Sequence, residues 1–157
     1  MSHYKKIIIV GTNNTTRSFM AEAVFRRLCE EYELDDVEVS SRGIVVLFPE
    51  PVNPKAAQAV GNAGYKMKEF QAAKLMAGDV EDADLLLTIT PEEKERILAD
   101  YEEELAEKNK VFTLSEFAGE QTGIPNPYGK ELDDYTTCFV IIKRMSEKCF
   151  LNRILKK

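Results

Sequence analysis

Apolar residues along the chain fall into two patterns, unbroken β-branched runs and stripes at helical spacing, and the two alternate. Ile7, Ile8, Ile9 and Val10 form a run without alternation, the mark of a strand buried on both faces of a parallel sheet. From Phe19 onward Met20, Val24 and Leu28, flanked by Ala21 and Phe25, recur at helical spacing, which predicts an amphipathic first helix. Ser18 stands where its N-cap is expected. Val37 to Ser41 reads as a second strand and Ser41-Arg42-Gly43 as its exit, Gly43 permitting a sharp turn. The three prolines of Phe48 to Pro54 exclude regular structure, and Pro54 suits the first turn of a helix through Ala56, Ala57 and Val60 to Gly64.

Residues 65–78 carry no clear period. Asp84 to Thr90 predicts a third strand, and Pro91 opens a charged helix ending near Lys108, with Glu102, Glu103 and Glu104 on a solvated face. Lys110 to Leu114 predicts a fourth strand, followed by a loop through Gly123, Pro125 and Pro127. The last helix runs from Leu132 to about Leu155, with Tyr135, Phe139, Ile142, Met145, Cys149 and Ile154 facing inward. Alternation of this kind predicts an α/β fold, a three-layer αβα sandwich whose four-stranded parallel sheet carries helices on both faces. Residues 1–157 are expected to form a single domain.

Charge and composition narrow the partners. The 157 residues have a net charge of −6, which argues against nucleic acid or an anionic membrane as a general partner. No run reaches transmembrane length and the N-terminus shows no signal-peptide pattern, so a cytoplasmic protein is expected. Cys29, Cys138 and Cys149 are an odd set without metal-ligand spacing, expected as reduced core thiols. His3, the only histidine, lies at the very start, so neither a histidine metal site nor a Ser-His triad is expected. No metal and no cofactor are expected.

The stretch between the first strand and the first helix carries the chemistry. Gly11, Thr12, Asn13, Asn14, Thr15, Thr16, Arg17 and Ser18 are small or polar and include one cation. A strand, a tight loop and a helix N-terminus aim amide hydrogens and the positive end of a helix dipole at one small volume, which suits an anion. Arg17 adds a planar fork of donors that matches two phosphate oxygens. An ordinary strand-to-helix connection rich in Thr and Asn has the same composition, so the segment alone leaves both readings open.

Taken together these residues resemble the low-molecular-weight protein tyrosine phosphatases and their arsenate-reductase and arginine-phosphatase relatives. The family signature is a strand, then Cys-x5-Arg-Ser, then a helix opening with Pro-Met-Ala-Glu. Asn14, Arg17, Ser18, Met20, Ala21 and Glu22 match it. Ser41-Arg42-Gly43 resembles the family's Ser-x-Gly, whose serine supports the loop asparagine. Val111 to Leu114 with Glu116-Phe117-Ala118-Gly119 resembles the Firmicutes branch. Asn126-Pro127-Tyr128-Gly129 stands where the family carries Asp-Pro-[Tyr/Phe]-Gly on a lid, with Tyr128 as a cleft wall. Thr15 matches a threonine that marks the arginine-phosphatase branch. The resemblance implies a flavodoxin- or Rossmann-like topology and, as ligand, phosphate, sulfate or a phosphorylated protein residue, phosphotyrosine or phosphoarginine.

The departures bear on activity. Gly11 stands at the nucleophilic cysteine's position, Thr16 at the second loop cysteine's and Asn126 at the general-acid aspartate's. Asn13 replaces the loop glycine and can take a left-handed conformation. Phe19 replaces the signature proline, while Phe70 and Ala73 stand where the family often has a histidine and an arginine. So many departures together have the pattern of drift after activity is lost.

Glycine has no side chain with which to attack phosphorus, and an amide cannot supply the leaving group's proton. Thr12, Thr15, Thr16 and Ser18 are hydroxyls with no adjacent base in the sequence. The sequence therefore predicts an impaired or inactive phosphatase homologue that binds oxyanions in the Gly11–Ser18 loop. Two further readings stay in play, a weak phosphatase that uses no cysteine and a protein that keeps only the fold for interaction.

Overall fold

The chain begins its ordered core at once, because four consecutive β-branched residues have nowhere to go but the inside of a sheet. The structure, a computed structural model, describes residues 3–66 and 68–156. Strand β1 (Lys6–Gly11) carries Ile7, Ile8, Ile9 and Val10 with no exposed surface. It pairs in parallel with β2 (Glu38–Gly43) on one side and β3 (Leu85–Thr88) on the other, and β3 pairs in parallel with β4 (Val111–Thr113). The order is β2-β1-β3-β4.

Both faces of the sheet are covered. Ile7, Ile9, Leu85 and Leu87 pack with helix α1 (Arg17–Glu31), α2 (Pro54–Asn62), the short α6 (Leu114–Ala118) and α7 (Leu132–Cys149). Ile8, Val10 and Leu86 pack on the other face with α3 (Ala77–Asp82), α4 (Pro91–Asp100) and α5 (Glu102–Leu105). The α/β sandwich with a four-stranded parallel sheet is as the sequence predicts. Every residue of the predicted inward stripe on the last helix is buried, as are all three cysteines, which are free.

Several boundaries differ, each for a local reason. Ser41, Arg42 and Gly43 lie inside β2 rather than beyond it, because β1 extends to Gly11 and supplies partners as far as Gly43. The charged helix predicted to Lys108 breaks at Tyr101, whose φ of −125° leaves the helical region, and ends in the left-handed residues Ala106 and Glu107. The last helix gives way after Cys149 to a π-helical turn, Phe150–Ile154. Helices α3 and α6, six and five residues long, are too short to show a 3.6-residue period. Among the described residues no helix is long and apolar enough to cross a membrane.

Candidate functional site

Strand order decides where a ligand can sit. The chain leaves β1 toward β2 on one side and reaches β3 on the other, so the connections after β1 and β3 diverge and open a crevice at the carboxyl ends of those strands. A cavity of about 860 Å³ lies there, lined by every residue from Gly11 to Ser18 and by Ile89 and Glu93 after β3.

The loop after β1 is held from outside by its carbonyl groups. Those of Gly11, Thr12 and Thr15 accept from the backbone N–H of Ile44, Val45 and Asn53 at 3.0, 2.9 and 3.0 Å, and that of Thr16 from Met20 at 3.0 Å. In a trans peptide the N–H points opposite to the C=O, and none of the described peptide bonds is cis. The amide hydrogens of Thr12, Asn13 and Thr16 are thereby turned away from the supporting segment, while that of Arg17 points back from the first turn of α1. Gly43 lets that segment approach, since a Cβ there would lie 2.8 Å from the Thr12 carbonyl oxygen and 2.6 Å from Val46 Cγ2. Close packing, with no positive φ at Gly43, is what requires glycine at this position.

Asn14 is the buried pin of the loop. Its φ of 62° places the left-handed residue at Asn14 and not at Asn13, where the sequence suggested it. The side chain that stabilises this conformation is 2% exposed and fully used. Its Nδ2 donates to Ser18 Oγ at 3.0 Å and to Ser41 Oγ at 2.9 Å, and its Oδ1 accepts from the Ala73 amide at 3.0 Å. Ser41 in turn donates to Glu22 Oε1 at 2.6 Å. Ser18 is accordingly not the helix cap. The N-cap is Thr16, whose side chain makes no capping bond, and Ser18 is drawn back toward Asn14.

Glu93 is the residue that the sequence did not reveal. It is 3% exposed, and its Oε1 accepts from the amides of Ile89 and Thr90 at 2.9 and 2.8 Å. Its Oε2 accepts the Thr12 hydroxyl at 2.7 Å. Thr12 therefore has a carboxylate beside it in space, although none is adjacent in the sequence. The available signal was Thr90-Pro91-Glu92-Glu93, a capping box directly after a strand, which the structure forms.

Arg17 stands at the start of α1 and lines the cavity. Its Nη1 donates to the Ile124 carbonyl at 2.8 Å, which leaves the other donors of the guanidinium uncommitted by that bond. Asn126 and Tyr128 line the mouth. Asn126 Oδ1 accepts from the Tyr128 amide at 3.2 Å, an Asx turn that leaves the NH2 group of the side chain as a donor. Tyr128, Leu47 and Phe48 are 74%, 90% and 61% exposed, so the rim is apolar. Gly11 forms the floor, where a Cβ would meet Ser18 Oγ at 2.9 Å. The cysteines offer no substitute nucleophile. Burial pushes the thiols of Cys29 and Cys138 up to about 11 and that of Cys149 higher still, and among the described residues no cluster could hold a metal ion.

The family model described as low molecular weight phosphotyrosine protein phosphatase matches residues 6–157. The chain belongs to this family. Among curated relatives it is 29% identical over 143 residues to the low molecular weight protein-tyrosine-phosphatase PtpB of Staphylococcus epidermidis, covering 91% of this chain and 95% of that protein. It is 32% identical over 130 residues to the protein-arginine-phosphatase of Bacillus subtilis, covering 82% and 83%. Among solved structures, a mutant of YwlE from Bacillus subtilis superposes with a TM-score of 0.82 at 30% identity over 91% of this chain and 94% of that one. A low molecular weight protein tyrosine phosphatase from T. tengcongensis superposes with a TM-score of 0.85 at 26% identity, covering 93% and 97%. The sheet and flanking helices of this chain are thus those of its family, and the loop from Gly11 to Ser18 occupies the crevice that the strand order creates.

Proposed function

We propose that this family member binds phosphate, sulfate or a phosphorylated protein residue in the Gly11–Ser18 loop and has lost the family's cysteine-dependent hydrolysis. The observation that carries the reading is the outward set of loop carbonyls around a bare glycine floor, with Arg17 on the wall. A thiolate on that floor would repel each unit charge of a phosphate about 4 Å away by roughly 4 kcal/mol at an effective dielectric of about 20. Gly11 removes this repulsion, and Asn126 offers a neutral amide where a carboxylic acid is needed to protonate a leaving group.

Of the two phosphorylated residues, phosphoarginine is the better fit. The exposed Glu50 lines the cavity, and a carboxylate there favours a guanidinium body over a neutral phenyl ring. Thr15 and the similarity to a protein-arginine-phosphatase support the same choice. The three buried free thiols suit a reducing cytoplasm, where we place the protein. Calorimetric titration with phosphate, sulfate, phosphoarginine and phosphotyrosine tests the assignment. Saturable binding that disappears in Arg17→Ala is expected, and absence of binding by the unmodified protein to all four overturns it.

The Thr12–Glu93 contact supports a second reading, slow turnover. The Thr12 oxygen would attack phosphorus while its proton passes to Glu93 Oε2 and the ester oxygen leaves as its anion. Water would then attack the phosphothreonine, breaking the Thr12 Oγ–P bond to release phosphate, and Thr12 Oγ would take the proton back from Glu93. Turnover of an aryl phosphate that is lost in both Glu93→Gln and Arg17→Ala is the result that would favour it.

A further inference from the structure

Beyond the phosphate loop, a second cavity of about 570 Å³ runs along α1 and the segment after α2. Four basic side chains, Arg26, Arg27, Lys66 and Lys68, line it against two acidic ones, Glu22 and Glu30. A cleft with a cationic excess is unusual on a chain of net charge −6, and it concentrates small anions.

The cations are fixed rather than loose. Glu22 is 5% exposed, and its Oε2 accepts from Arg26 Nε at 2.7 Å with Lys68 Nζ at 3.4 Å. Glu22 is itself anchored, because its other oxygen accepts the Ser41 hydroxyl. Arg26 and Lys68 remain 41% and 56% exposed, and each has further N–H donors beyond the one facing Glu22. Beside them the Arg27 guanidinium lies 4.4 Å from the centre of the Tyr65 ring.

The remaining wall is aromatic. Phe19 and Phe70 meet edge to face with ring centres 5.0 Å apart, and both line the cleft. Phe19 is 5% exposed and backs Phe70 from inside, so the partly buried ring of Phe70 gives the cleft an apolar patch next to its cations.

We propose that this cleft is a second ligand site, taking a small aromatic anion whose carboxylate, sulfonate or phosphate group sits between Arg26 and Lys68 and whose ring lies against Phe70. The inference is independent of what the phosphate loop binds. The test is a fluorescence titration of the full chain with 8-anilino-1-naphthalenesulfonate in an Arg17→Ala background, where the loop has lost its cation. Saturable binding is expected, about tenfold weaker when Lys68→Glu is added, since one favourable charge becomes repulsive. Lys68 is 56% exposed but faces Glu22, so the thermal midpoint of the variant is compared with its background to verify that the fold is kept. Lys68→Gln, which adds no carboxylate beside Glu22, is titrated in parallel and is likewise expected to weaken binding. An unchanged affinity on adding Lys68→Glu, or no saturable binding before it, overturns the proposal.

Discussion

The hydroxyl of Thr12 and the carboxylate of Glu93 are 81 positions apart in the chain and 2.7 Å apart in space. The contact ties the loop after β1 to the helix after β3, across the crevice where the sheet changes direction. Glu93 makes its other bonds to the amides that open α4, so one carboxylate caps a helix and steadies the loop.

Replacing it separates the two duties. Glu93→Gln keeps an acceptor for the amides of Ile89 and Thr90, and Thr12 can turn its hydroxyl to accept from the new NH2 group. Glu93→Ala takes the partner from the Thr90 amide and the Thr12 hydroxyl, while the Ile89 amide keeps its bond to the Val10 carbonyl at 3.1 Å, at about 1–3 kcal/mol for the lost charge-assisted bonds and the cap. Urea midpoints in the order unmodified, Glu93→Gln, Glu93→Ala are expected. A Gln variant as unstable as the Ala variant would show that the charge itself is what holds the loop.

Asn14 supplies a second test, because its backbone and its amide can be removed separately. Asn14→Gly keeps the left-handed conformation without strain but forfeits the bonds to Ser18, Ser41 and Ala73. Asn14→Ala forfeits them and also places a Cβ at a φ of 62°, which adds roughly 1 kcal/mol. Both variants are expected to be less stable than the parent, with Ala below Gly by about that amount in chemical denaturation. Equal stabilities would mean that the loop relaxes out of the left-handed region once its amide is gone.

The legible parts of this protein are those written in side chains with a period. β1, the inward stripe of α7 and the single cation of the loop are all visible in the order of residues. The support of the loop is not, since Ile44, Val45 and Asn53 act through backbone N–H groups that any residue but proline provides. Glu93 was hidden for a different reason. It sits in a segment so rich in carboxylates that the whole helix reads as solvent-facing, and only its spacing from Thr90 marks it as a cap. The exchange of roles between Asn13 and Asn14 shows the same limit, for two adjacent asparagines tolerate positive φ equally and the buried partners of one of them decide.

Acid stability follows from Glu116. Its carboxylate accepts the Thr113 amide at 2.8 Å and pairs with Lys94 at 3.0 Å. The Thr113 backbone bond foremost, and then Lys94, hold its carboxyl below the ordinary value of 4.5. A folded pKa below the unfolded one contributes stability that is fully present above the unfolded value and is lost as pH falls through the folded one. Thermal midpoints measured from pH 6 downward are therefore expected to decline below about pH 4.5, and Glu116→Gln to flatten part of that decline. An acid limb of unchanged slope in the variant would assign the decline to other carboxylates, Glu120 among them, whose carboxyl is lowered first by its bond to Arg144.

The floor of the loop provides the most demanding prediction. A Cβ at Gly11 would lie 2.9 Å from Ser18 Oγ and 3.1 Å from Ser18 Cβ, a crowding that a small shift of one short side chain relieves. Gly11→Cys should therefore fold, and its thiol would enter a site where outward carbonyls, the N-terminus of α1 and Arg17 all favour the thiolate. Removing a covalent nucleophile costs on the order of a millionfold in rate. Restoring it should thus raise hydrolysis of an aryl phosphate far above the parent, and adding Asn126→Asp should raise it again by about 100-fold or more through leaving-group protonation. Slow phenol release without a burst in the single variant, becoming fast release in the double one, would separate the contributions of the nucleophile and the general acid. A double variant that binds phosphate but stays as slow as the parent would show instead that the lid segment no longer brings position 126 to the reacting oxygen.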